Sequence, residues 1–339
     1  MKELSELSLN ISETEYRALP AKSYSMLSKL SRDGPQSIIN IEREETDVMV
    51  FGSLIDCILT DNDNVTNRFK VMDFEKVSEK TRNIIDKIFN EYLYGVDINN
   101  LSSVERSIID DILIKEEYYS NYKPDTRYNK FIEDASQYYS ICYQNLFTPQ
   151  KIINRETFDT ALNLVNTIKT NKFTAPILNN TDTSKIYYQL KFQSFYNGIP
   201  IKCMFDFIKV DYANKMIYPF DLKIKLESEN TFMKTYYTFR YDIQSKMYCF
   251  ILNEIIKLDD YFKDFIIRPF SFMVVSRFKP KPIIWVDRTC FLTTVSDKQK
   301  EYGVKSWINL LDDYIWYQKN NLYDYDKDVY LNNGIKYIE

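Results

Sequence analysis

The stretch from Ile201 to Leu252 constrains this chain more than any other, because a segment of two-residue period runs into one of helical period. Ile201, Cys203, Phe205 and Phe207 alternate with their neighbours, residues 211–215 are turn formers, and Met216 to Ile224 is again apolar and β-prone. That pattern predicts a β-hairpin. In its returning strand Asp221 and Lys223 share one face, while Phe220, Leu222 and Ile224 take the other. A turn centred between Ala213 and Asn214 sets Asp206 opposite Asp221. Like charges facing each other across a sheet are destabilising, so the pair needs a compensating group, and a hard divalent cation with oxygen ligands suits it.

Thr238 to Ile256 then predicts a helix on which Arg240, Gln244 and Tyr248 recur at four-residue steps and line one face. Ile243, Met247, Phe250, Ile251 and Ile255 supply apolar contact elsewhere on it.

What the chain lacks narrows the chemistry. Its 339 residues include no histidine, which excludes a His-based triad, an imidazole base and any histidine-ligated zinc site. Carboxylates, lysine, tyrosine and cysteine remain. Cys57, Cys142, Cys203, Cys249 and Cys290 are widely spaced without a Cys-x-x-Cys, which argues against a zinc ribbon or an iron–sulfur cluster. Reduced thiols in a cytoplasm are the simplest account. With a net charge of −4, the chain could bind nucleic acid only through a local basic groove. The polar N-terminal segment has no signal-peptide core, and no apolar run approaches a membrane span, so a cytoplasmic protein without membrane contact is expected. Abundant Tyr, Asn, Ile and Lys beside only six glycines suggests an AT-rich coding genome, compatible with a phage.

Asp206, then Asp221-Leu-Lys223, then Gln244-x-x-x-Tyr248 resembles the motif order of the PD-(D/E)XK nucleases, with the Gln-x-x-x-Tyr element of the RecB-like group. DLKIK followed by YTFRYDIQSKMYCF is similar to the exodeoxyribonuclease VIII (RecE-like) branch and related phage exonucleases. The resemblance implies an α/β (α+β) restriction-endonuclease-like core, a mixed central sheet flanked by helices. It implies Mg²⁺, with Mn²⁺ as a substitute, held by Asp206 and Asp221. Lys223 would activate water or steady the phosphate, and Gln244 with Tyr248 would position the strand or the lysine. Such chemistry suits phosphodiester hydrolysis, in which a metal polarises the phosphoryl oxygen and a cation stabilises the developing charge. Arg240 and Lys246 are the expected DNA contacts. The same likeness implies a DNA exonuclease acting 5′ to 3′ on linear duplexes in recombination or DNA processing, a ring-like homo-oligomer and a single-strand annealing protein as partner.

Two departures qualify the likeness. YSMLSKLSRDGP is similar to the opening helix of that branch, which leads to a Gly-x-x-x-His helix; here the pattern is Gly52-Ser-Leu-Ile-Asp56. Asp56 is either an oxygen ligand to the metal or a helix-surface acid, and Gly52 would let its helix pack close to the sheet. In Ser184 to Tyr196, a predicted half-buried strand ending at an Asn197-Gly198 turn, Gln189 takes the place of a metal-shell glutamate and cannot supply its negative charge. A catalytically inactive binding module and a site-specific endonuclease on the same core are therefore the alternatives.

Elsewhere, helical periodicity covers most of residues 73–177, including a helix opening at Thr148-Pro149. Two strands flank Arg277 to Pro282, and a last helix spans Asp297 to Asn320. The expected division is a mainly helical lobe over residues 1–180 and the nuclease core over 181–339.

Overall fold

The computed structural model describes residues 2–39, 46–92, 100–145, 148–301 and 303–335. They form a mixed α/β fold whose central sheet, seven-stranded among the described residues, is flanked by helices. Its strands are β1 (Lys22–Ser23), β2 (Ser184–Tyr196), β3 (Ile199–Asp211), β4 (Met216–Lys225), β5 (Ile266–Ile267), β6 (Phe270–Ser276) and β7 (Ile283–Asp287). The path runs β1-β3-β4-β6-β7, with β2 also on β3 and β5 also on β4. β2, β3 and β4 are joined by tight hairpins and pair antiparallel, whereas β4 and β6 are parallel.

Asn197 and Gly198 both have positive φ, 49° and 78°, as a two-residue hairpin turn of this hand requires. The second hairpin closes at Asp211, whose carboxylate accepts from the Asn214 backbone N–H at 3.0 Å and from its side chain at 2.8 Å. Apolar residues of β3 then fall on the core: Phe205, Phe207, Ile208 and Val210 are fully buried.

Over this sheet lie α1 (Tyr24–Asp33), α2 (Phe232–Thr238), α3 (Tyr241–Lys257) and α4 (Trp307–Asn320). The helix expected over Thr238 to Ile256 is α3, and it packs on β2, β3 and α1 through Ile243, Met247, Ile251 and Leu252. Arg240, at its start, has φ 56° and ψ 45°, the left-handed conformation, so regular helix begins one residue later. The last helix is split. Asp297–Glu301 stops, and Ser306 opens α4 by accepting from the Asn309 N–H.

The chain divides into two compact units that do not meet at residue 180. Met1–Glu44 joins Asn166–Glu339 in one, and Glu45–Val165 forms the other. Backbone pairing explains the N-terminal part: Lys22 and Ser23 pair with Ile201 and Lys202, and the Leu9 N–H donates to the Lys191 carbonyl at 2.8 Å. In the second unit, helices Glu79–Tyr92, Arg106–Lys115 and Pro124–Gln144 share a core of Ile84, Ile88, Ile109, Leu113, Phe131 and Tyr139. The helix expected from Thr148-Pro149 starts at Arg155 instead, because Lys151–Asn154 pairs with Phe69–Met72 and Asn154 caps the Thr157 N–H at 2.9 Å. No described helix is long and apolar enough to cross a membrane.

Candidate active site

β4 changes partners halfway along, and the site lies at the change. From Asp211↔Met216 to Phe207↔Phe220 it is laddered to β3, and from Phe220↔Ser271 onward to β6. The hairpin keeps the register in which Asp206 would face Asp221, but its ladder ends one step earlier, where Phe207 and Phe220 stack at 4.9 Å. Beyond that stack the half-buried Asp206 turns its carboxylate to the Leu222 N–H, 2.7 Å away. A side-chain acceptor thus takes up a backbone donor at the edge where the two strands part.

Asp221 and Lys223 share a face, as the two-residue period requires, and the Lys223 Nζ lies 2.6 Å from the Asp221 Oδ2. From α3 above them, the Gln244 amide donates to the other carboxylate oxygen, Oδ1. Asp221 and Gln244 are buried, and the Lys223 side chain is 18% exposed. Burial works against the lysine's charge. Asp221, with Tyr241, Tyr24 and Asp206 adding to it, outweighs that penalty and holds the ammonium above its ordinary pKa. The Nζ also sits 4.3 Å over the Tyr241 ring, a cation–π contact that favours the charged form.

Two acceptors lack a hydrogen bond, though one of them is ion-paired. Asp221 Oδ2, close to the ammonium but outside hydrogen-bond geometry, and Gln244 Oε1 are both buried without a hydrogen bond. Buried acceptors are normally satisfied. With the Asp206 carboxylate they make an all-oxygen donor set of the type that hard cations take. Among the described residues no group of three acidic or cysteine side chains assembles. A Mg²⁺ ion here would be held by Asp206 and Asp221 and completed by water and phosphate oxygens, the usual habit of that ion.

The other predicted residues have different surroundings. Arg240 and Lys246 are buried, which corrects the expectation that they meet DNA. The Arg240 guanidinium contacts both Asp242 oxygens at 2.9 and 3.1 Å, the Lys305 carbonyl at 2.8 Å and the Ser31 hydroxyl. Lys246 donates to the Thr294 carbonyl at 2.7 Å, and burial lowers its pKa. Tyr248 packs its ring on Phe205 and Phe270, at 5.1 and 6.0 Å, and burial pushes its hydroxyl pKa well up, with Asp221 and Asp206 among the charges that add to the rise. Gln189 interrupts the β2–β3 ladder between Tyr188↔Phe207 and Leu190↔Phe205, in the step that faces Asp206, with φ 52°. Asp56 belongs to the other compact unit, half-buried on the helix Asp47–Thr60. A Cβ built on Gly52 would meet nothing within 4 Å, so no close approach requires the glycine.

Sequence reasoning missed Tyr241 and Tyr24. Tyr241 precedes Gln244 by three residues and so shares its helix face, a signal that spacing alone could have supplied. Tyr24 lies on α1, where its hydroxyl donates to the Phe239 carbonyl at 2.8 Å, and nothing local marks it.

No protein-family model matches the chain, and no curated protein matches it. Among solved structures it is similar to a crystal structure of a protein from Eubacterium rectale provisionally named an exonuclease. The TM-score is 0.44 and the identity 12%, over 98% of this chain and 97% of that one. A likeness at that level does not transfer a site.

Proposed function

We propose that the protein is a metal-dependent deoxyribonuclease with a PD-(D/E)XK-type site, acting as an exonuclease on linear double-stranded DNA. The observation that carries this reading is the convergence of Asp206, Asp221, Lys223 and Gln244 where β3 and β4 part, with Gln244 Oε1 buried without a hydrogen bond and Asp221 Oδ2 held only by the ammonium. Asp206 and Asp221 hold Mg²⁺ or Mn²⁺, which when bound polarises the phosphoryl oxygen and lowers the pKa of its water. Lys223, a cation fixed against Asp221, is placed to stabilise charge developing on the phosphate. Gln244 orients the Asp221 carboxylate. The ring-like assembly, the single-strand annealing partner and the role in phage-type recombination belong to the same proposal and rest on the motif resemblance alone.

The rival is a binding module that has kept the site without its activity. It is favoured by the glutamine at position 189 and by the assembly, among the described residues, of two carboxylates rather than three. Incubation of linear and covalently closed duplexes with Mg²⁺ or Mn²⁺ separates the readings. Loss of the linear form alone, stopped by EDTA and by Asp221→Ala or Lys223→Ala, is the expected result. Cleavage of closed circles would show an endonuclease, and DNA binding without any loss of substrate would show the module.

A further inference from the structure

Between the site and solvent runs a short series of rings. Tyr241, under the Lys223 ammonium, stacks on Phe239 at 5.9 Å and 24°. Phe239 is 41% exposed, and the Arg32 guanidinium lies over its ring, 5.3 Å from the centroid. Tyr237, 48% exposed, is two residues away at the end of α2. The backbone that carries the Phe239 ring is pinned in place. Both the Tyr24 hydroxyl and the Ser28 hydroxyl donate to the Phe239 carbonyl, at 2.8 and 2.7 Å, and the next residue is the buried Arg240. A rigid, exposed aromatic beside a cation is a surface prepared for a flat ligand that carries negative charge nearby.

Resting on the nuclease reading, we propose that Phe239 and Tyr237 form a stacking platform for unpaired bases at the end of a DNA strand whose phosphate lies beside Lys223. The substrate preferred at this site is then a duplex with a single-stranded tail or a frayed end. Tyr237 and Arg32 also line an open cavity of about 500 Å³, roomy enough for a nucleotide by the usual range of ligand sites. Asp313 and Asp328 stand in its wall, with Asp313 paired to Lys305 and Lys327 at 2.8 and 3.0 Å and Asp328 to Lys305 at 3.4 Å. Such a wall suits the amine and carbonyl edges of a base better than a phosphate, and leaves the backbone charge to Arg32 and Lys223. A base offers a π-face whatever its identity, so the platform holds an end without reading sequence.

The test uses the full chain in EDTA, so that binding is read without cleavage. Duplexes carry 2-aminopurine in a single-stranded tail or at a blunt end. Wild-type protein should quench the tail fluorophore on binding. Phe239→Ala should abolish the quench and weaken tailed-duplex binding about tenfold, which is about 1.4 kcal/mol and within the range for one base–aromatic stack. Blunt-duplex binding should fall less than twofold, and Phe239→Trp should restore the quench. Phe195→Ala, which removes an exposed ring of β2, serves as the control and should leave the quench intact. Equal losses on tailed and blunt ends, or an unchanged quench in Phe239→Ala, overturn the platform. If the platform variants alone are without effect while linear DNA is still digested, the nuclease reading stands without it. If wild-type protein neither binds nor cuts DNA, both readings fall.

Discussion

Two buried charge clusters flank the start of α3, and they are built to opposite standards. In one, Arg240 meets Asp242, Ser31 and the Lys305 carbonyl, and no atom of either charged partner is left buried without a hydrogen bond. In the other, Asp221, Lys223 and Gln244 converge yet leave Gln244 Oε1 buried without a hydrogen bond, while Asp221 Oδ2 has the Lys223 ammonium at 2.6 Å as its ionic partner. A buried acceptor without a hydrogen bond costs about 1–3 kcal/mol. A complete network repays its desolvation through its own bonds, so its role is to fix the N-terminal turn of α3. An incomplete one is held in place by its surroundings, and its cost is accounted for if the site takes a metal ion as proposed above.

The sharpest way to break this contrast is to delete one partner from each cluster. Arg240→Ala strands Asp242 as an uncompensated buried charge and should lower the unfolding free energy by about 3–5 kcal/mol, measured by urea titration. Asp221→Asn should show its deficit in the other quantity. DNA cleavage should fall by about 10²–10³, equivalent to about 2.7–4 kcal/mol, the cost of removing one preorganised electrostatic group. Its unfolding free energy should also fall, because Lys223 loses the carboxylate that offsets its burial, but by less than in Arg240→Ala because the lysine side chain is 18% exposed. If Asp221→Asn is instead the less stable protein and cleaves normally, the two clusters have been read the wrong way round.

Gln244→Leu sharpens the comparison on a smaller scale. The substitution removes a hydrogen bond to Asp221 Oδ1, and at the same position it removes a buried acceptor that had none. The two effects oppose each other, so stability should change by less than about 1 kcal/mol. Cleavage should still fall, because the carboxylate loses the group that orients it. Urea titration and the linear-duplex assay on the same preparation separate the two effects.

How much of this was legible in the sequence follows from how far each interaction reaches along the chain. The hairpin register was readable, since a turn of a few residues places position 206 within one step of 221 and the two-residue period puts Asp221 and Lys223 together. Gln244 was marked by the Gln-x-x-x-Tyr spacing of the resemblance, whereas an amphipathic pattern alone would have turned it to water; it is buried against Asp221. The early end of the β3–β4 ladder was not, because β4 leaves β3 for a strand that begins at Phe270, far along the chain. Arg240 was misread for a local reason: the four-residue step assumes helix through position 240, and its left-handed backbone instead brings the guanidinium back onto Asp242, two residues on. Lys246 was misread because helix periodicity marks the apolar stripe but not what covers the opposite face. The two-residue β1 carries no period at all, so the pairing of Lys22 and Ser23 with the sheet was invisible.

Gln189 gives the smallest effect and the finest test. It has φ 52°, faces Asp206 across the hairpin, and is the one step skipped between two ladder pairs of the same register. A residue with a Cβ held in the left-handed region costs about 1–2 kcal/mol, whereas glycine there is free of that strain but gives up about 0.5–1 kcal/mol of chain entropy. Gln189→Gly should therefore stabilise the fold by about 0.5 kcal/mol if strain is the main thing the position stores. A rise in the unfolding midpoint together with weaker cleavage would place Gln189 with the incomplete cluster, as a strained residue kept for its place beside Asp206. A fall in the midpoint would place it with Arg240, as a side chain whose contacts outweigh the backbone it bends.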